Sequence, residues 1–247
     1  MTGEVRVVPL GGIPELDEGD DLAALLVEAA GRAGGLEHGD VVVVAQKAVS
    51  KVEGRVVRLS GIEPSPRALE LAGESDPRRM EVILRESREI LRSRPPLVIA
   101  ETRHGFVCAS AGVDASNAKG PETLVLLPLD PDASAGRIRG RVVELTGIDV
   151  GVIVSDSFGR AWRRGTTDVA LGVAGIAPLN DLSGQRDAAG YELHATEIAV
   201  ADEIAGAAEL VLGKTRGVPA AIVRGLDVRG DGRGADLLMP RERDLFR

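Results

Sequence analysis

Val150-Gly151-Val152-Ile153-Val154-Ser155-Asp156-Ser157-Phe158-Gly159-Arg160-Ala161-Trp162-Arg163-Arg164-Gly165-Thr166-Thr167-Asp168 is an apolar run that turns abruptly polar. Its first five residues read as a short buried strand. An acid, a hydroxyl, a glycine and three arginines then fall within nine residues, and the only Trp of the chain sits among them. Carboxylate and hydroxyl oxygens suit a hard cation such as Mg²⁺ or Mn²⁺. Planar guanidinium forks suit phosphate or carboxylate oxygens. The pattern predicts a site where a metal and arginines hold a polyanion. A polar turn carrying solvated arginines accounts for these residues equally well.

Working outward, Val5 to Pro9, Val41 to Ala45, Val52 to Leu59, Leu124 to Leu127 and Ala220 to Val223 read as further strands. Leu97 to Glu101 and Gly105 to Ala109 read as a hairpin around Thr102-Arg103-His104. Asp20 or Asp21 caps a helix through about Ala30, ended by Gly34-Gly35. Residues 77–92 read as a charged amphipathic helix stopped by Pro95-Pro96. Asp130-Pro131-Asp132-Ala133-Ser134 opens a helix to about Leu145, closed by Gly147. Thr196, as N-cap, opens another through Leu212. Gly172 to Pro178 suits a close backbone approach. The tail from Gly230, rich in charge, Gly and Pro, is expected to be loosely ordered. Strands and helices mix without strict βαβ alternation. The fold class expected is therefore α+β, with mixed and antiparallel sheets and packed helices. No repeat or long linker interrupts the chain, so residues 1–247 are read as a single domain.

Composition excludes several classes. Apolar residues are 44% and charged residues 28%, as in folded proteins. Net charge is −8 and aromatics are 2%, which argues against a nucleic-acid partner. No apolar run reaches the ~20 residues of a membrane span, so no membrane is expected. Met1 to Leu10 lacks the basic start and apolar core of a leader. A single cysteine, Cys108, allows no internal disulfide. A cytoplasmic setting is expected.

Three constellations stand out. Gly112-Val113-Asp114-Ala115-Ser116-Asn117 sits after a strand. It reads as a plain Asx turn or, with Asp156, as a two-carboxylate cation site whose remaining ligands come from phosphate. Gln46-Lys47-Ala48-Val49-Ser50-Lys51 follows the Val41–Val44 run, and its lysines either face a phosphate or belong to a surface loop. In 184–202, Asp202 and Glu203 are adjacent and do not form a carboxylate pair. His194 lacks a partner at metal spacing. Standard phosphate-loop, dinucleotide, nucleophile-elbow and HExxH signatures are absent.

Taken together these segments resemble the coenzyme F-420-0:L-glutamate ligase family, the γ-glutamyl ligases of deazaflavin coenzyme biosynthesis. The resemblance spans nearly the whole chain. It rests on Gly12-Ile13-Pro14-Glu15, Val49-Ser50-Lys51 with Glu53-Gly54-Arg55, Gly112-Val113-Asp114 with Ser116-Asn117, and Asp130-Pro131-Asp132. It continues through Ser155-Asp156-Ser157 with Gly159-Arg160-Ala161-Trp162-Arg163, Asp187 with Gly190, Ala199 to Glu203, and Pro219 to Gly225. The resemblance implies an unusual fold in an intertwined homodimer. It also implies a ligase that uses GTP and two divalent cations, Mg²⁺ or Mn²⁺, with K⁺ a further candidate. Asp114 and Asp156 match the aspartates for the first metal, and Ser157 a hydroxyl for the second. Ile13, Pro14, Glu15, Leu16, Lys51 and Asn117 match GTP-contacting positions. Gln46 stands where some members have Ser or Thr. Lys214, after Gly213, stands where archaeal relatives have a metal-binding Gln, so the second metal is expected to be held differently. A flavin-binding reductase-like domain, fused C-terminally in some bacterial relatives, is not expected.

The chemistry implied begins with phosphorylation of the F-420-0 carboxylate by GTP. The L-glutamate amine then displaces phosphate from that acyl phosphate. Both steps gather negative charge that metals and basic side chains must offset. Arg160 is the catalytic candidate beside Asp114 and Asp156, with Arg163 and Arg164 as other anion holders. No general base is evident, although Asp168 is a nearby acid. The apolar strands and the Ala-rich helix at 196–212 offer more surface than one small sheet obviously covers, in line with a dimer. The competing functional readings are a metal-dependent nucleotide hydrolase on the same scaffold and a non-catalytic nucleotide- or cofactor-binding protein.

Overall fold

Four consecutive valines, Val41 to Val44, are each almost wholly buried, and they form the middle of the main sheet. The structure, a computed structural model, describes residues 3–246. Met1, Thr2 and Arg247, part of the N-terminal stretch and of the single-domain range read above, lie outside the described residues.

The elements run β1 (Arg6–Pro9), α1 (Leu22–Arg32), β2 (Val41–Ala45), α2 (Gln46–Val52), β3 (Val56–Arg58), α3 (Pro66–Ala72) and α4 (Pro77–Glu86). Next come β4 (Ser87–Arg94), β5 (Leu97–Thr102), β6 (Val107–Ala109), β7 (Thr123–Val125) and α5 (Pro131–Thr146). The chain continues through β8 (Gly151–Arg160), β9 (Arg163–Ala174), β10 (Asn180–Asp181), β11 (Glu197–Ile198), α6 (Val200–Leu212) and β12 (Ala220–Arg224). The main sheet has the order β1-β12-β2-β8-β9. Its pairs are antiparallel except β2 with β8, which run parallel. Smaller sheets pair β4-β5-β6, β3-β7 and β10-β11. The fold class is α+β, as expected.

Strand alternation sorts the sheet's residues onto two cores. Val42, Val44, Val152, Val154 and Ile222 meet α1 and α5 on one face. Val41, Val43, Ile153, Val173 and Ala221 meet α6 on the other. A separate core gathers α3, α4, β5 and β7. The apolar strands and the Ala-rich helix are thus covered within one chain, and their surface gives no argument for a dimer. Close approach is built in at Gly172, where a Cβ would lie 2.2 Å from Pro131 backbone. This lets the start of α5 rest directly on β9.

Several local expectations are corrected. The Gln46–Lys51 segment is neither a loop nor the prelude to a strand at Val52. It is helix α2, which follows β2 without a connector. Its seven residues carry β-branched Val49 and Val52, so burial of Ala48 and Val49, not propensity, makes it helical. The helix read over 77–92 ends at Glu86. Ser87 onward is β4, paired back onto β5 around the Pro95-Pro96 turn. Long-range pairing here overrides a helical spacing of apolar residues. Thr196 is not an N-cap. Glu197–Ile198 pairs with Asn180–Asp181, and α6 begins at Val200 without a side-chain cap. Of the two candidates for capping α1, Asp21 does so, accepting from Ala24 N–H. Residues 230–246 of the tail pack onto the body of the fold. Gly232 N–H donates to Ile176 O at 3.0 Å and Gly234 N–H to Asp132 Oδ1 at 2.6 Å. No helix among the described residues is long and apolar enough to cross a membrane.

Candidate active site

The parallel register of β2 and β8 sets Ala45 beside Ser155. Each strand then continues by one or two residues into the site: Gln46 and Lys47 in the first turn of α2, Asp156 and Ser157 along β8. A cleft of about 290 Å³ opens at this end of the sheet. Ile13, Pro14, Glu15 and Leu16 from the loop after β1 line it, together with Gln46, Lys51, Asn117, Asp156, Ser157, Gly213 and Lys214. Residues 13–16 and 213–214, far apart in sequence, therefore meet at one cavity.

Asp114 enters from a strained loop. Ser110, Ala111 and Gly112 all have positive φ, and a Cβ at Gly112 would lie 2.7 Å from Leu127. Asp114 then makes a backbone bridge to Val125 in β7, which fixes its height. Its side chain accepts from Ser116 N–H at 2.8 Å and Ser116 Oγ–H at 2.7 Å. The Asx-turn reading is thus correct locally. Lys47 Nζ lies 3.0 Å from Asp114 Oδ2 and 3.8 Å from Asp156 Oδ1, so one ammonium spans both carboxylates.

The two acids differ in environment. Burial pushes the Asp156 carboxyl up to about 6, against the pull of Lys47 and with the help of Asp168 and Asp114. Burial also opposes charge on Asp114. There the Ser116 donors and Lys47 outweigh it, and the carboxyl is held at about 2. Burial likewise works against the Lys47 charge, but Asp156 and Asp114 more than offset it, and its pKa is raised.

Lys51 sits one helical turn after Lys47 and donates to Glu15 Oε1 at 2.6 Å. Gln46 is almost wholly buried. Its Oε1 accepts from Ser50, while its Nε2 finds no partner among the described residues. Ser157 Oγ–H donates to Asp168 Oδ1 at 2.7 Å, and Ser155 Oγ–H to Asp168 Oδ2 at 2.9 Å.

Two catalytic candidates from the sequence do not line the cleft: Asp114, which reaches it through Lys47, and Arg160. Strands β8 and β9 stay paired to Arg160↔Arg163, so the arginines ride out on an exposed two-stranded ribbon. Arg160 bonds to Arg164 O there and does not line the cleft of its own chain. Residues missed from sequence are Lys47 as the carboxylate bridge, Ser155, and the Glu209, Leu212 and Val218 walls. Lys47 and Lys51 are four apart, a helical signal hidden by the reading of their segment as a loop. The Ser155 contact needs the β8–β9 register, which no local pattern supplies.

The donor set fits hard cations. The Lys47 ammonium already stands as a positive charge between two carboxylates. Each nearby serine oxygen commits its hydrogen to Asp168 and keeps its lone pairs. Among the described residues no three His, Cys, Asp or Glu side chains form a metal cluster by themselves. A cation here would need oxygens from a ligand, as Mg²⁺ and Mn²⁺ commonly take from phosphates.

Comparison with known proteins agrees in extent with this geometry. The model of the family described as F420-0:Gamma-glutamyl ligase matches residues 12–225, a span that holds every cleft residue. A "Coenzyme F420:L-glutamate ligase" of Methanothermobacter thermautotrophicus is 45% identical over 98% of this chain and 99% of its own length. Proteins of the same name from Methanocaldococcus jannaschii, 46% identical over 86% of each chain, and Methanopyrus kandleri, 45% identical over 98% of each, are also similar. A match of this length and identity leaves one assignment: the chain belongs to the F420-0:gamma-glutamyl ligase family.

Proposed function

We propose that the protein is a GTP-dependent ligase that joins L-glutamate to coenzyme F-420-0 through a C–N bond, by way of an acyl phosphate. The observation that carries the reading is the pair Asp114 and Asp156, brought from distant segments to one ammonium beside a cleft. Two acids joined by one ammonium, with Lys47 and Asp156 lining the cavity, suit a cation-bound polyphosphate better than a neutral ligand.

In this reading Asp114 and Asp156 hold the first divalent cation, and Ser157 contributes to a second. When bound, the cations supply charge neutralisation for the transferred phosphoryl group. Lys51 and Lys47 hold phosphate oxygens by charge-assisted hydrogen bonds. The unpartnered Gln46 Nε2 is a buried donor that a ligand oxygen would satisfy. Residues 13–16, Asn117, Gly213 and Lys214 wall in the nucleotide. The reaction forms one amide bond, breaks the γ-phosphoryl bond of GTP, and releases GDP and phosphate. Asp168 is a poor choice of base for the amine, because both its oxygens already accept serine hydroxyls.

A homodimer is part of the proposal. It would give the ribbon arginines Arg160, Arg163 and Arg164 a role in the partner's cleft, toward the anionic groups of F-420-0 or glutamate. GTP turnover measured with and without glutamate and F-420-0 tests the function. Phosphate release that requires both substrates is expected. Release without them indicates a hydrolase, and no release at all indicates a binding protein.

A further inference from the structure

Asp168 is 5% exposed and takes part in no ion pair among the described residues. The Lys47 ammonium feels its charge from beyond ion-pair reach, so the direct partners of this buried carboxylate are hydroxyls, which offset only part of the cost of burial. Here strand register selects the donors. Ser157 stands directly opposite Asp168, and Ser155 opposite Ala170, which leaves the Ser155 hydroxyl diagonal to the same carboxylate. A carboxylate only accepts, so each serine must donate its one hydrogen to it. Both Ser155 and Ser157 line the cleft beside Asp156.

We propose that Asp168 is a positioning residue of the cation site. By holding the hydroxyl hydrogens of Ser155 and Ser157, it keeps the lone pairs of Ser157 Oγ available to a divalent cation. This rests on the reading above, in which Ser157 faces a cation. An asparagine at 168 would present one acceptor and one donor, so one serine would have to reverse its hydroxyl. The acid is thus favoured over its neutral isostere despite its burial, and an entering cation adds positive charge to that already supplied by Lys47.

The test is Mn²⁺ binding, counted by electron paramagnetic resonance without nucleotide and with GDP, alongside melting temperature. Asp168→Asn should weaken Mn²⁺ binding by about tenfold or more, the usual range for loss of an outer partner of a metal ligand, and Ser157→Ala, which removes the ligand itself, by at least as much. The double variant should be no weaker than Ser157→Ala alone, because Asp168 acts through that hydroxyl. If the two losses multiply in full, Asp168 contributes only its charge and the inference is overturned. Wild-type affinity in a folded Asp168→Asn protein overturns it too. Should that variant not fold, Asp168→Glu keeps the charge but displaces the acceptors, and the same loss and the same non-additivity with Ser157→Ala are expected. Absence of bound Mn²⁺ in the wild-type protein under both conditions removes the cation reading itself. That outcome is distinct from Mn²⁺ bound equally by wild type and variant.

Discussion

Lys47 Nζ stands 3.0 Å from Asp114 Oδ2, although the two are 67 positions apart in the sequence. The contact joins the first turn of α2 to the loop before β7, and a cation bound by Asp114 and Asp156 would compete with that ammonium for the same oxygens. Lys47→Gln is therefore expected to tighten Mn²⁺ binding in the nucleotide-free protein and to slow ligation. Breaking a fully buried pair costs about 3–5 kcal/mol, and the partial exposure of Asp114 lowers the expected loss of stability to about 2 kcal/mol. Calorimetric Mn²⁺ titration and denaturant unfolding check both; weaker Mn²⁺ binding would mean that Lys47 supports the cation instead of competing with it.

Asp114→Asn and Asp156→Asn should each abolish ligation with the fold retained, since each removes charge with little change in volume. Turnover at limiting Mg²⁺ together with circular dichroism decides the matter. A variant that keeps wild-type turnover removes that residue from the cation's ligands.

Lys51→Ala should weaken GTP binding by about 1–3 kcal/mol, the range for a lost charge-assisted hydrogen bond. Its contact with Glu15 predicts a second effect. Glu15→Gln frees the ammonium and should leave GTP binding unchanged or tighter. Equal, small losses from Lys51→Ala and from an alanine at an exposed lysine such as Lys119 would reduce Lys51 to a surface charge.

The carboxyl of Asp156, raised from an ordinary value of 3.8 to about 6, makes a pH-dependent contribution. The folded state binds the proton more tightly than the unfolded chain. Its contribution to stability is present below the ordinary value and is lost as pH rises through about 6. Asp114, held at about 2, behaves oppositely, and its contribution fades only as pH falls toward that value. Asp156→Asn should therefore flatten the stability profile between about pH 4 and 6. Mn²⁺ binding to the wild type should strengthen as pH rises through about 6, because the cation displaces that proton. Pulsed thermal scans and Mn²⁺ titrations at stepped pH measure the two effects. Affinity independent of pH across this window would place Asp156 outside the cation site.

Assembly is open to a direct check. The large exposed side chains include Trp162, which packs edge-on against Phe246 at 4.8 Å, and Leu245, 90% exposed. An obligate dimer would bury such groups and raise the melting temperature with protein concentration. Sedimentation of an active monomer at low micromolar concentration would remove the dimer and the role assigned to the ribbon arginines.

The sequence by itself determined the long, strongly patterned elements. Val41 to Ala45 and Gly151 to Val154 are buried strands because Val and Ile dominate these short apolar runs, and Ala220 to Val223 carries Ile222 and Val223 to the same end. Asp130 and Gly147 bracket α5 because an N-cap acceptor and a left-handed C-cap act locally. The motifs around Asp114, Asp156, Ser157 and Lys51 singled these residues out, and the structure gathers them at one end of the main sheet. Tertiary structure alone decided the rest. Whether Ser87 continued a helix or paired with Thr102 depended on a partner strand, and α2 depended on the core beneath it. Lys47 met Asp156 only through the parallel pairing of β2 with β8 and Asp114 only through the bridge of that residue to β7, and Asp168 met two serines only through the register of β9. Arg160 left the cleft for the same reason, since the ribbon that carries it continues past the sheet. Caps and apolar runs are read within a few residues, whereas register is a property of two segments and has no signature in either one.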